Sequence, residues 1–346
     1  KGGKSTLNTE KKIIKLSSNE NPYGPSPKII EVIKNESLIR NFHRYPEIDG
    51  SSLRNAIAKK FSLKKERIIL GSGSDEVLLF AALSFCQDGD EILHTTHGFE
   101  MYSIVSKVVG AVPKKIIEDE NFNIDTDTII KSITDSTKVI YIASPNNPTG
   151  TYLPREKIVK LMQTISKNII VVIDGAYVEY VDRVDYEKGF TLSEEFDNLI
   201  LTRTFSKTYG LAALRVGWCY TSKKVANIIN KIKPPFNTTS ISQLMAIKAL
   251  EDQEYIEKIV KLNSEIKTWF EKELNKLKIK IKETEGNFSL IETTVDGANK
   301  IANHLASDGI IVRRLDSYNM ANFIRVSIGT KEEMELTINS LKKFNE

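Results

Sequence analysis

The chain has 346 residues, enough for a large domain and a lesser one rather than a single small module. It is 40% hydrophobic and 27% charged, and its 49 basic against 45 acidic residues leave a formal charge of +4, which offers nucleic acid no polyelectrolyte surface. Two cysteines, Cys86 and Cys219, cannot form a disulfide scaffold or a zinc spacing and point to a reducing, cytoplasmic compartment.

The first 50 residues hold two turn-rich segments, NENPYGPSP and HRYPEIDG, that read as belonging to no obvious core. RIIL (67–70) then leads through GSGS into the helical DEVLLFAALSFC. EILH (91–94), KVIYIA (138–143), NIIVVID (168–174), NLILTRTF (198–205) and RVGWCYT (215–221) follow as β-branched or aromatic runs. Between two of them, Ile158, Leu161, Met162 and Ile165 fall at helical spacing. Continuously apolar strands alternating with helices predict an α/β fold whose mostly parallel sheet is covered on both faces.

Beyond about residue 235, with PPF (234–236) as the hinge, a charged helical stretch runs from Ile241 to Leu277. KIKIKETE, FSLIETT, GIIVRRL and FIRVSIGT follow as strands of a smaller α+β unit closed by the helix KEEMELTINSLKKF. The expected division is an N-terminal arm over 1–50, a large domain over 51–235, and a long helix with a small C-terminal domain over 236–346. Lys-rich stretches such as KKIIK read as solvated faces. No apolar run approaches the ~18 residues of a membrane span, and no secretory leader is visible.

In open α/β sheets, ligands bind beyond the carboxyl ends of parallel strands, and four such ends here finish in polar residues. GSGSDE (71–76) reads as an anion cradle at a helix start, or as a turn with Asp75 capping the helix. SPNNPTG (144–150) holds Asn146 and Asn147 in a rigid turn. Asp174 ends five apolar residues, where a carboxylate is costly unless it meets a cation or donor; the alternative is a helix cap. Lys207 follows NLILTRTF with Ser206 before it and Arg215 after. A desolvated lysine is a nucleophile toward carbonyls, whereas a solvated one is only surface. Taken together, a phosphate cradle, a ring-binding amide, a buried carboxylate and a nucleophilic amine are the parts that hold pyridoxal 5′-phosphate.

SPNNPTG, Asp174 with Tyr177, and TFSKTYGLAALRVG resemble fold-type I pyridoxal-phosphate aminotransferases. NENPYGPSP, HRYPEIDG, GSGSDE, GFEMYS, RTFSK and FIRVSIGT are similar, within them, to the histidinol-phosphate aminotransferase family. The resemblance covers essentially the whole chain. It implies a seven-stranded sheet sandwiched by helices in the large domain, and a homodimer with shared active sites. The implied reaction transfers an amino group between histidinol phosphate and 2-oxoglutarate (imidazole acetol phosphate and glutamate in reverse), in histidine biosynthesis.

By the same resemblance, Lys207 carries the cofactor's aldehyde and shuttles the proton, Asp174 pairs with the pyridine nitrogen, and Asn147 and Tyr177 address the ring oxygen. Ser74, Asp75, Ser206 and Arg215 surround the cofactor phosphate, joined by Tyr45 of a second subunit; Gly73 and Thr204 also bind the cofactor, and Phe99 stacks on the ring. Asn19, Tyr23, Arg313 and Arg325 line the substrate site, with Arg314 as a rival to Arg313. Phe99 stands where tyrosine is usual, Gly175 where glutamate is usual, and Ala213 where glycine is common. A threonine-phosphate decarboxylase or an aromatic aminotransferase is the nearest alternative, and a non-catalytic protein that kept the fold is another class.

Three motifs are decoys. GGKS (2–5) lacks the earlier glycine and strand of a P-loop. DENFNIDTDTII (119–130) has Ile124 and Ile130 where a calcium loop needs glycine and glutamate. His94 and His97, with Glu91 and Glu100, have no helical alignment for a metal. His43 is read as a surface residue or a neighbour of the dimer's site.

Overall fold

The computed structural model describes residues 13–34 and 42–345; the GGKS motif lies outside them. Its strands are β1 (Ile14–Leu16), β2 (Ile68–Gly71), β3 (Glu91–Thr95), β4 (Val112–Ile116), β5 (Thr137–Ala143) and β6 (Ile170–Asp174). After them come β7 (Leu199–Thr204), β8 (Gly217–Thr221), β9 (Lys280–Lys282), β10 (Phe288–Glu292), β11 (Ile310–Arg314) and β12 (Phe323–Ser327).

Seven strands form one sheet in the order β2-β8-β7-β6-β5-β3-β4. Only β8 runs against its neighbours; the pairs from β7 through β4 are all parallel. Alternate side chains of β5 enter two cores: Ile140 and Ile142 join Val171, Ile173 and Leu201 on one face, while Val139 and Tyr141 join Val172 and Ile200 on the other. A sheet buried on both faces has little room for polar side chains within its strands. Polar groups therefore gather at the strand ends. The chain is an α/β protein of this mostly parallel kind.

The second sheet has the order β1-β11-β12-β10-β9, with β1 parallel to β11 and the other pairs antiparallel. Its core holds Phe270, Ile291, Leu305, Ile324, Val326 and Leu341. KKIIK is thus not only a solvated face: Ile14 and Leu16 are buried while Lys15 pairs with Glu20.

The expected helix from Ile241 to Leu277 is two helices, Ser240–Leu250 and Gln253–Lys276. At the break, Asp252 turns its carboxylate to Ser26 Oγ and Lys28 Nζ instead of continuing the helix. The first helix packs Met245, Ala246 and Ala249 into the large core. The second bridges both layers, with Ile256 in the large core and Ile266, Phe270 and Leu274 in the small one. It holds the small sheet over the carboxyl ends of β5, β6 and β7.

Candidate active site

A cleft opens where β5, β6 and β7 end. Its lining includes Ser74, Asp75, Phe99, Asn147, Asp174, Tyr177, Thr204, Ser206, Lys207 and Arg215. Segments more than 130 residues apart in sequence meet there because parallel strands deliver all their C-terminal turns to one edge.

The floor is Asp174, the last residue of β6 and only 4% exposed. Thr202 Oγ1 donates to one carboxylate oxygen at 2.7 Å and the Tyr102 hydroxyl to the other at 3.0 Å. Burial raises the Asp174 carboxyl above its ordinary range, against the pull of these two donors and of Arg203. Neither donor is a cation, and among the described residues no ion pair reaches the carboxylate, which fits a cationic ring N–H presented from the cleft. Sequence reasoning missed both donors. Thr202 could have been found as the residue opposite Asp174 in the β6–β7 register, on the same face of β7 as Thr204. Tyr102 stacks on Tyr141 with ring centroids 5.0 Å apart, a contact no local pattern announces.

Lys207 reaches into the cleft above this floor. Its Nζ donates to the Ser18 carbonyl at 3.1 Å and lies 5.6 Å from the Tyr177 ring centroid. It is the only amine among the described residues that line the cleft.

At one end, β2 turns through Gly73 into the helix Ser74–Phe85, whose first-turn amides point at the cleft. Arg215, left-handed at φ 48°, donates to Ser206 Oγ at 3.4 Å and to Asp75 at 3.1 Å. A Cβ on Gly73, itself at φ 84°, would lie 2.4 Å from Arg215 Nη2. The left-handed backbone favours glycine there, and any side chain would push the guanidinium aside. Thr204 Oγ1 caps the backbone N–H of Ser206 at 3.1 Å and donates to its Oγ at 3.0 Å, which fixes the hydroxyl. Helix amides, a hydroxyl and a guanidinium form a donor set suited to phosphate.

The opposite wall is built from residues 17–21 with the small sheet behind them; of these described residues Ser18 and Glu20 line the cleft, and Arg313, Arg325 and Ser327 do not. Arg325, buried on β12, donates to the Ser17 carbonyl at 2.8 Å and to Asn147 Oδ1. Arg313 is its direct partner across the β11–β12 pair. Opposed residues share a face, so Arg313 faces the same side as Arg325, while Arg314 turns away to pair with Asp316. Two like charges opposite one another repel unless an anion joins them.

Of the two asparagines in SPNNPTG, Asn147 lines the cleft. Asn146 braces the loop, donating to the His97 carbonyl at 3.1 Å and to Thr149 Oγ1 at 2.8 Å. Phe99 lines the cleft and meets Tyr102 edge-on at 6.0 Å. Asn19 is fully buried behind the wall, with its amide committed to Tyr177 and Ser327. Tyr23 is exposed and not among the residues lining the cleft; its carbonyl accepts from Tyr255. Tyr45 is 82% exposed, stacked on Phe236, and not among the residues lining the cleft. His43 is exposed on the same segment.

Gly175 makes room for Arg203: a Cβ there would lie 2.4 Å from Arg203 Nη1, which donates to the Thr202 carbonyl. Ala213 is exposed. Asp119 and Asp125 spend their carboxylates on backbone amides of their own turns. His94 bonds Ser103 and the Thr95 carbonyl, and His97 pairs with Glu118. No described helix is long and apolar enough to cross a membrane.

Residues 11–341 match the family model for aminotransferase class I and II. The chain is 41% identical to a histidinol-phosphate aminotransferase of Pelagibacter ubique, over 100% of this chain and 96% of that protein. It is 38% identical to one of Paramagnetospirillum magneticum, over 99% and 94%. Its fold is similar to a solved histidinol-phosphate aminotransferase of Sinorhizobium meliloti in complex with pyridoxal-5′-phosphate, with a TM-score of 0.90 at 24% identity over 96% of this chain and 91% of that one. With its strand-end lysine and buried aspartate in one cleft, the chain belongs to the aminotransferase class I and II family.

Proposed function

We propose that the chain is a pyridoxal-phosphate-dependent aminotransferase exchanging an amino group between histidinol phosphate and 2-oxoglutarate, in histidine biosynthesis. One observation carries the reading: the buried Asp174 carboxylate, with no ion pair among the described residues, and the Lys207 amine face the same cleft. The names of the relatives that match along the whole chain support the substrate assignment.

When bound, pyridoxal phosphate supplies an aldehyde that takes the amino group and a pyridinium ring that accepts electrons. Asp174 holds the proton on the ring nitrogen, and Thr202 and Tyr102 keep its oxygens aimed there. Asn147 and Tyr177 address the ring oxygen, and Phe99 offers its face to the ring. Ser74, Asp75, Thr204, Ser206 and Arg215, around the Gly73 turn, hold the phosphate. Lys207 anchors the aldehyde in the resting enzyme. Its Nζ would also be the base that moves the substrate Cα proton, a role that general-base placement makes worth roughly 10²–10⁴-fold.

Arg313 and Arg325 bind the anionic ends of the two substrates. Guanidinium accepts a phosphate or a carboxylate bidentately, so one pair of side chains serves both half-reactions. Two copies of the chain form a dimer in which Tyr45 completes the partner's phosphate site; the exposed Phe42, Tyr45 and Ile48 form the apolar surface expected of such a contact. We divide the chain into an arm over 1–50, a large domain over 51–235 and, over 236–346, the long helix and the small domain, with the helix Ser240–Leu250 packed in the large core. A cytoplasmic location suits the free Cys86 and Cys219.

The test is a half-reaction assay. Histidinol phosphate should bleach the visible absorbance of the bound cofactor, and 2-oxoglutarate should restore it. Bleaching by aromatic amino acids alone, or release of CO₂ in place of a keto product, would contradict the assignment.

A further inference from the structure

The Tyr177 hydroxyl accepts a hydrogen bond from Asn19 Nδ2 at 3.0 Å. A phenol carries one proton. With its oxygen accepting on the Asn19 side, that proton is left for the cleft, which Tyr177 lines. The end of the Asn19 amide that faces Tyr177 therefore decides where the phenol's proton points.

That choice is made on the far side of Asn19. Ser327, the last residue of β12, accepts from the Asn19 backbone N–H at 2.8 Å and donates its single proton to Asn19 Oδ1 at 2.9 Å. The Asn19 carbonyl is held in turn by Asn287 Nδ2 at 3.0 Å. Asn19 sits at φ 53°, a left-handed conformation that asparagine tolerates. Asn19, Asn287 and Ser327 are all buried, so water cannot substitute for a lost partner. If the amide flipped, Oδ1 would face the phenol and draw its proton away from the cleft. The hydroxyl of Ser327 opposes that flip by requiring an acceptor at its own end.

We propose that Ser327 is a positioning residue for transamination: acting through Asn19, it aims the Tyr177 proton into the cleft, at the ring oxygen of the bound cofactor. The inference rests on the pyridoxal-phosphate reading above and adds to it a residue of the small sheet that touches neither cofactor nor substrate. Ser327 shares its strand face with Arg325, so the strand that receives substrate anions also orients the phenol. The charged groups around Tyr177 are Lys207, Arg325 and, at the cleft floor, Asp174. None of them bonds Ser327.

The experiment is a pH titration of the visible absorbance of the cofactor-loaded protein for the wild type, Ser327→Ala, Ser327→Thr, Tyr177→Phe and the Ser327→Ala/Tyr177→Phe double variant. A hydrogen bond to the ionised ring oxygen stabilises that charge, so its loss should move the midpoint upward by about one pH unit in Ser327→Ala and in Tyr177→Phe. The double variant should move no further than Tyr177→Phe alone, and Ser327→Thr, which keeps the hydroxyl, should titrate like the wild type. Should Ser327→Ala fail to fold, Ser327→Cys, with a weak donor of similar shape, should shift the midpoint in the same direction. A folded Ser327→Ala or Ser327→Cys that titrates like the wild type while Tyr177→Phe moves would overturn the inference and leave the aminotransferase reading intact. A wild type with no titrating visible band would overturn both.

Discussion

The floor and the far wall of the cleft are built in different ways. The floor takes Asp174, Thr202, Thr204 and Ser206 from the ends of two adjacent strands, joined to one another by hydrogen bonds at most 28 positions apart, and Tyr102 reaches Asp174 from 72 positions away. The wall takes Ser17 and Asn19 from one end of the chain and Arg325 and Ser327 from the other, joined by hydrogen bonds spanning 308 residues. The first is a consequence of one sheet's topology. The second exists only while the small sheet stays docked. Changes to the floor should remove the chemistry, and changes to the wall should leave the cofactor bound while altering what is recognised or, at Ser327, where the ring oxygen titrates.

The largest effect is expected at the floor. Lys207→Ala should lower turnover by at least roughly 10²–10⁴-fold and abolish the visible cofactor band, while the fold, read by circular dichroism, is kept. On the wall, Arg325→Ala should cost about 2–5 kcal/mol in kcat/KM, since it removes a buried charged partner of the substrate anion. Its visible cofactor band should persist. A lost band would mean that floor and wall are not separable.

A smaller effect concerns the floor without cofactor. Burial holds the Asp174 carboxyl above its ordinary range, so the apo fold binds this proton more tightly than the unfolded chain does. The stability this contributes is complete below the unfolded pKa of about 3.9 and is lost as pH rises through the folded value. Apo Asp174→Asn should therefore melt higher than the apo wild type at pH 8, by about 2–4 °C, with the gap closing near pH 4. Adding pyridoxal phosphate should stabilise the wild type more than the variant. A variant that melts lower at every pH would show that the carboxylate is already compensated within the protein. Smaller still, Tyr102→Phe should weaken cofactor binding by roughly tenfold, the scale of one hydrogen bond to a charged group, and leave substrate preference unchanged.

The same contrast explains how far the residues could be read before the fold was seen. Asp174, Lys207, Arg215 and Asn147 were legible because each ends or follows an apolar run, and a polar residue at such a place needs a reason. The six β-branched runs of the large sheet were legible for the same cause. The seventh strand, β4, was not: it carries Pro113, Lys114 and Lys115, which a sheet tolerates only at its edge, where half the backbone needs no partner. β1 was hidden by its lysines and is three residues long.

Within the cleft, Tyr102 and Thr202 escaped notice because their contacts with Asp174 depend on register and on a stacked tyrosine pair. Spacing could not separate Arg313 from Arg314; the β11–β12 register sets Arg313 opposite Arg325, while Arg314 pairs with Asp316. Asn19 was singled out for the substrate site, yet its amide is committed to Tyr177 and Ser327. No local pattern ties Asn19 to Ser327.

The most direct test of the shared lysine–aspartate cleft is reductive trapping. Loaded protein is treated with borohydride, digested and mapped by mass spectrometry, with Asp174→Asn run in parallel. The expected result is a single pyridoxyl mark on Lys207, with the variant marked at the same residue after needing more cofactor to load. A mark on any other lysine, or equal loading by wild type and Asp174→Asn, would contradict it.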